Sequence, residues 1–255
     1  MSGKVYFISG GNRGIGFEFV KQLSSNPENT IIASARDISK ATELQQLADA
    51  QGNIKIVTLD VADQTSIDAL GAQLKPIAKD GIDVMISNAG IAQTAAFAPE
   101  TKRETYEIHY RTNALGPIFL TKALYPFLKQ KETRHLVYIS SDAGSIGAQH
   151  PVTTSAYGQS KAALNYSVKE ISFELGAEGF VAVALHPGAV VTDMGQEAIA
   201  AFQEYQPALL EQFKDIIKQY QPEESVKLLL DNVILNLDKE KNGKFFNLLG
   251  EEIVY

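Results

Sequence analysis

The sequence has no cysteine, no excess of positive charge and no long hydrophobic run, and each absence closes off a class of function. Without cysteine there can be no disulfide and no thiolate chemistry, and a zinc site would need histidine and carboxylates alone. No metal centre is expected. Acids outnumber bases, for a formal net charge of -7 over 255 residues, and no basic stripe stands out, so nucleic-acid binding is not expected. No apolar run approaches the ~20 residues that span a bilayer. The start, Met1-Ser2-Gly3-Lys4, runs into an apolar strand with neither the hydrophobic stretch nor the cleavage site of a signal peptide. The expected setting is cytoplasmic, away from membranes. Linker-like stretches, repeats and low-complexity segments are also lacking, so 1–255 reads as one domain, large enough to bury a core without a staple.

What is present is a repeated strand–turn–helix pattern. Apolar strands are expected at 5–8, 31–33, 54–59, 82–87, 135–139, 180–185 and 244–248. Helices are expected at 14–24, 40–50, 65–78, 101–129 and 155–175, with Pro117 and Pro126 bending the fourth. Strands separated by helix-length segments imply parallel pairing with helices on both faces. The predicted fold is α/β: a doubly wound, Rossmann-type, seven-stranded parallel sheet. The region 189–220 is helical in flavour and rich in Gln, Ala and Phe.

Between the first strand and first helix stands Ser9-Gly10-Gly11-Asn12-Arg13-Gly14-Ile15-Gly16. Gly10 allows a tight turn, Gly14 lets backbone approach a pyrophosphate, and Gly16 permits close helix–strand packing. The helix N-terminus then offers free N–H groups and a favourable dipole to phosphates. The second strand ends in Ser34-Ala35-Arg36-Asp37. A carboxylate about 20 residues beyond the loop would bind a ribose 2′-hydroxyl, whereas arginine accommodates a 2′-phosphate. Counting places Ala35 at the acidic position with Arg36 beside it, and Arg13 adds a second guanidinium. NADP(H) is the expected cofactor, with Asp37 as the counter-indication one residue away.

Tyr157 and Lys161 are four residues apart on a predicted helix, hence on one face. A free phenol titrates near pH 10. A neighbouring ammonium is expected to lower that and let tyrosine exchange protons. As a lone pair this is an ordinary helix-surface motif; Ser140-Ser141, at the end of the fifth strand, gives it a context.

The glycine spacing, Tyr157-x3-Lys161 and the serine pair resemble the short-chain dehydrogenase/reductase family over nearly the whole chain, in its compact branch; the Gly250-Glu251-Glu252 tail resembles its C-signal-like carbonyl reductases, with Tyr255 where that branch usually ends in tryptophan. The resemblance implies a catalytic tetrad of Asn113, Ser141, Tyr157 and Lys161, with Ser140 the alternative serine. Ser141 would polarise the substrate oxygen and Asn113 would hold a relay water. It further implies that Ser9, Asn12, Ile15, Asp60, Val61, Asn88, Ala89, Gly90, Pro187, Gly188, Val190 and Thr192 contact the cofactor, as do Tyr157 and Lys161. Ser9 and Ser87 replace the family's usual Thr and Asn. Residues 189–220 would form a substrate lid, with Met194, Phe202, Tyr205 and Phe213 either lining an apolar pocket or packing the lid down. Residues 149–152 would border the substrate, His150 among them; His186 is read as structural. The implied activity is NADPH-dependent reduction of a small-molecule ketone or aldehyde, in a homodimer or homotetramer. A non-catalytic NADP(H)-binding regulator and an NAD-dependent alcohol dehydrogenase are the rival readings.

Overall fold

The computed structural model describes residues 3–93, 95–148, 153–213 and 218–255. β1 (Val5–Ile8) leads through the glycine turn into α1 (Gly14–Ser24). β2 (Thr30–Ala35) is followed by α2 (Thr42–Gln51), and β3 (Ile54–Thr58) by α3 (Gln64–Leu74). β4 (Val84–Ser87) precedes α4 (Arg103–Tyr110), a π-helical turn (Arg111–Leu115) and α5 (Gly116–Leu128). β5 (His135–Ile139), α6 (Ser155–Gly176) and β6 (Val181–His186) come next. An excursion of β7 (Ala189–Val190), α7 (Asp193–Tyr205), α8 (Pro207–Phe213) and β8 (Gln219–Tyr220) follows, then α9 (Pro222–Asn232) and β9 (Phe245–Asn247).

Seven strands form one parallel sheet in the order β3-β2-β1-β4-β5-β6-β9, while β7 and β8 pair with each other. Successive side chains point to opposite faces, and this sorts the core into two layers. Tyr6 and Ile8 join Val181, Val183 and Leu185 under α1, α2 and α9. Phe7 joins Ala182 and Ala184 under α3, α5 and α6. Both faces are covered, which is why the strands read as apolar runs rather than alternating ones.

The predicted seven-stranded doubly wound fold is the one observed, and its departures are local. α3 stops at Leu74 rather than reaching Ala78; Lys75 is still helical, and Pro76 has no N–H with which to continue the ladder. The predicted helical stretch 101–129 runs from 103 to 128 and is interrupted just before Pro117, where the π-turn separates α4 from α5. α9 lay outside the predicted elements although Val226, Leu229 and Leu230 repeat at helical spacing behind Pro222. No helix among the described residues is long and apolar enough to cross a membrane.

Tyr138, on central β5, is fully buried, and its hydroxyl meets Thr121 Oγ1 of α5 at 2.7 Å. Thr121 still donates to Pro117 O at 2.8 Å without it. Tyr138→Phe is therefore expected to cost only about 1 kcal/mol, measurable by urea denaturation.

Candidate active site

A cavity of about 1280 Å³ lies at the carboxyl ends of the strands, where β1 and β4 send their chains to opposite faces. That crevice is where open α/β sheets take ligands. Its floor begins at the glycine turn. Gly10 and Gly14 have φ of 67° and 56°, a region that strains residues with a side chain. A Cβ on Gly16 would overlap the Gly10 carbonyl and the Asn88 side-chain amide, so only glycine lets α1 start this close. α1 has no side-chain cap and no acid in its first turn, which leaves its amide end to an incoming anion. Gly10, Asn12, Arg13, Gly14 and Ile15 line the cavity. Ser9 and Gly16 do not. Ser9 is buried, and its Oγ accepts N–H bonds from Asn88 at 3.0 Å and Ala89 at 3.1 Å. Asn88 Nδ2 in turn donates to the carbonyls of Ser9 at 3.0 Å and Gly10 at 3.2 Å. Ser9 thus shapes the cradle from behind rather than lining it.

At the end of β2, Ala35 is buried and Arg36 reaches the cavity. Asp37 turns away. Its carboxylate accepts from Ser39 N at 3.0 Å and Ser39 Oγ at 2.6 Å and pairs with Lys40 at 3.5 Å, which holds its pKa below the ordinary carboxylate range. The acid one residue past Arg36 is spent on a turn. Arg13, expected as a second phosphate ligand, pairs with Asp193 of α7 at 3.3 Å. Arg36 makes no ion pair among the described residues. Asp60 and Val61 also line this end, the Asp60 carboxylate accepting from Ala62 N at 2.9 Å.

Ser141, Tyr157 and Lys161 line the same cavity, as do Ala89 and Gly90; a Cβ on Gly90 would stand 3.6 Å from Lys161 Nζ. Lys161 Nζ is buried and donates to Ile139 O at 2.9 Å. It stands 5.8 Å from the Tyr157 ring centroid. Burial pushes the Tyr157 phenol up to about 12, and the Asp142 charge adds to this; a hydrogen bond from Ser141 works the other way. The expected lowering by Lys161 is not found. The ammonium is itself held down to about 8 by burial, so desolvation outweighs their coupling. The single hydroxyl proton of Ser141 is drawn either to Tyr157 or to Asp142 Oδ1 at 3.2 Å, while its Oγ accepts from Ala143 N and caps the following turn. Ser140 is the structural one of the pair: its hydroxyl donates to Asn165 Oδ1 at 2.6 Å in the core.

Asn113 lies in the π-turn, wholly buried, and does not line the cavity. Its Oδ1 accepts from Ile91 N, and its Nδ2 donates to Ile91 O and Ser160 Oγ, all at 2.9 Å. Asn113 therefore clamps the strand-four loop to α6. π-turns recur at such sites because the extra residue re-aims a side chain. One turn earlier, buried His109 accepts from Gln93 N at 3.1 Å and steadies the same loop. His109 was not foreseen, although its spacing from Asn113 puts both on one helix face.

Pro187, Gly188, Val190 and Thr192 line the wall after β6. Pro187 O is held by Ser225 Oγ of α9 at 2.7 Å. The Thr192 hydroxyl, expected to contact a cofactor carboxamide, accepts from Gly195 N at 3.1 Å as the cap of α7. His186 lines the cavity while its Nδ1 accepts from Asp142 N at 3.2 Å. Met194, Ile199 and Phe202 of α7 line the roof; Tyr205 does not. The Phe213 side chain, and His150 with its loop 149–152, fall outside the described residues. Leu248 and Leu249, just past β9, line the cavity unforeseen; their place at a strand's carboxyl end was the available signal.

Residues 4–202 match the short chain dehydrogenase family model. An uncharacterized oxidoreductase of Schizosaccharomyces pombe is 46% identical over 252 residues, covering 99% of this chain and 98% of that protein. An uncharacterized oxidoreductase of Saccharomyces cerevisiae is 44% identical over 258 residues, covering 98% and 97%. Among solved structures, the NADPH-bound carbonyl reductase from chicken fatty liver superposes with a TM-score of 0.86 at 30% identity, covering all of both chains. The carbonyl reductase Sniffer of Drosophila melanogaster gives 0.84 at 29%, again covering both chains fully.

The lysine's depressed pKa has a stability consequence. Its folded value, about 8, lies below the 10.5 of the free side chain, so folding forces a charge into the interior at pH 7. The penalty is on the order of 3 kcal/mol and fades as pH rises through 8 towards 10.5. Lys161→Met is expected to raise the Tm of the ligand-free protein at pH 7, and the gain should shrink at pH 10 in a thermal melt.

Proposed function

The chain belongs to the short-chain dehydrogenase family, and from that premise we propose that it is an NADPH-dependent carbonyl reductase. The observation that carries this reading is the Tyr157 phenol. It lines the cavity together with Ser141 and Lys161, whose Nζ stands 5.8 Å from its ring centroid, and a neutral phenol there can hand its proton to a substrate oxygen as charge develops.

The family works with a nicotinamide cofactor. When bound, it supplies the hydride. Gly10, Asn12, Gly14 and Ile15 would hold its phosphates on bare backbone and the α1 amide end. Tyr157 gives its hydroxyl proton to the substrate oxygen as charge develops there. Ser141 turns its hydroxyl from Asp142 to that oxygen and steadies it. Lys161 Nζ, 5.8 Å from the ring centroid, is a proton source close to the tyrosinate left behind. Asn113 fixes the loop facing these groups, so the reacting oxygen meets a preorganised wall.

Arg36 with a buried Ala35 and an Asp37 tied to Ser39 and Lys40 supports NADPH over NADH, since the acid next to Arg36 is not free for a ribose hydroxyl. Arg13 can add to this only by leaving Asp193, a solvated pair worth little. The apolar roof of Met194, Ile199 and Phe202 suits an uncharged, hydrophobic ketone or aldehyde.

Tyr157→Phe is expected to lower kcat by about 10²- to 10⁴-fold on a responsive ketone, with NADPH affinity by fluorescence titration unchanged; retained turnover would overturn the acid role. Arg36→Ala should cut kcat/KM for NADPH about tenfold or more and leave NADH nearly untouched. A preference for NADH in the parent protein would refute the phosphate reading.

A further inference from the structure

The roof of the cavity has one buried residue among the described positions 191–212. From Val191 to Gln212 every residue is at least partly exposed except Gln206, which is 4% exposed. α7 itself buries no residue. Gln206 stands at the junction of α7 and α8. Its backbone N–H donates to Phe202 O at 2.8 Å, and its carbonyl accepts from Leu209 N and Leu210 N at 3.1 and 3.0 Å. Its amide turns inward. Nε2 donates to Ala95 O at 2.6 Å and to Thr153 O at 2.8 Å, while Oε1 accepts from Thr153 N at 3.4 Å.

These partners belong to three walls of one cavity. Ala95 lines it from the segment after β4, and Thr154, next to Thr153, lines it at the entry to α6. Phe202, one turn before Gln206, lines it from the roof. The side chain of Gln206 does not line the cavity at all. Both its donors are committed to backbone carbonyls on different segments, and its oxygen closes the second contact. No hydrophobic residue of α7 supplies comparable burial. An amide is the chemistry this position needs: a carboxylate lacks the two donors, and an alkyl chain leaves buried carbonyls unpaired.

We propose that Gln206 is a positioning residue that latches the α7–α8 roof to the two facing loops and so sets the shape of the substrate end of the cavity. For the carbonyl substrate it rests on the reading given above; the latch itself does not. Gln206→Leu removes all three amide contacts, and Gln206→Glu keeps the shape but loses both donors, regaining one when the acid is protonated. Hydrogen exchange followed by mass spectrometry on the full chain is expected to show about tenfold or faster exchange in 193–205 and around Ala95 for Gln206→Leu. The β1–β6 core should stay unchanged. In ketone reduction the KM should rise about tenfold with a smaller change in kcat. The Gln206→Glu defect should grow from pH 6 to pH 8, while that of Gln206→Leu stays flat with pH. Unchanged exchange in α7 in both variants would refute the latch. If Gln206→Leu does not fold, Gln206→Glu compared with the parent at pH 8 decides it, and parent-like protection of α7 there would refute it. If the parent protein reduces no ketone, the functional reading fails while the exchange result still judges Gln206.

Discussion

Where β1 and β4 lie side by side and send their chains to opposite faces of the sheet, backbone groups are left without ladder partners, and the whole site depends on how they are tied. Ser9 and Asn88 do it reciprocally. One hydroxyl takes two N–H groups from the strand-four loop, and one amide takes two carbonyls from the glycine turn. The turn can then present bare backbone to the cavity, and α1 can begin against it because Gly16 has no side chain to collide with that same amide. The phosphate cradle and the loop facing the reactive groups are one hydrogen-bonded unit, so neither can shift alone.

The chemistry is placed by the same economy. Asn113 uses its amide on Ile91 and Ser160, binding the strand-four loop to the helix that carries Tyr157 and Lys161. Ser155, just before Tyr157, has φ of 44° and is gripped by Thr101 Oγ1 at 2.8 Å and the Tyr106 hydroxyl at 3.0 Å. Strained backbone at the head of the catalytic helix persists because its neighbours over-determine it. Burial acts on both groups in opposite directions, pushing the Tyr157 phenol up and the Lys161 ammonium down.

Much of this was legible in the residues. The strands, the glycine turn, and Tyr157 one helical turn from Lys161 follow from short-range pattern. The resemblance added Ser141 and Asn113. What the pattern left hidden was where side chains spend their hydrogen bonds. Asp37 looked like a rival to Arg36 until its carboxylate was seen capping a turn. Arg13, expected at a phosphate, lines the cavity but also pairs with Asp193, 180 residues away. Thr192, expected at the cofactor, lines the cavity and also caps α7. Such second partners lie far from the local pattern.

The sequence by itself determined the layer order of this protein, its cradle and its reactive tyrosine, because periodicity, turn chemistry and helical spacing act within a few residues. Only the tertiary structure decided the direction of the Tyr157 shift, the π-turn that buries Asn113 and the tethering of the roof through Gln206. Desolvation depends on everything packed around a group, and a hydrogen bond between residues 206 and 95 has no trace in either neighbourhood.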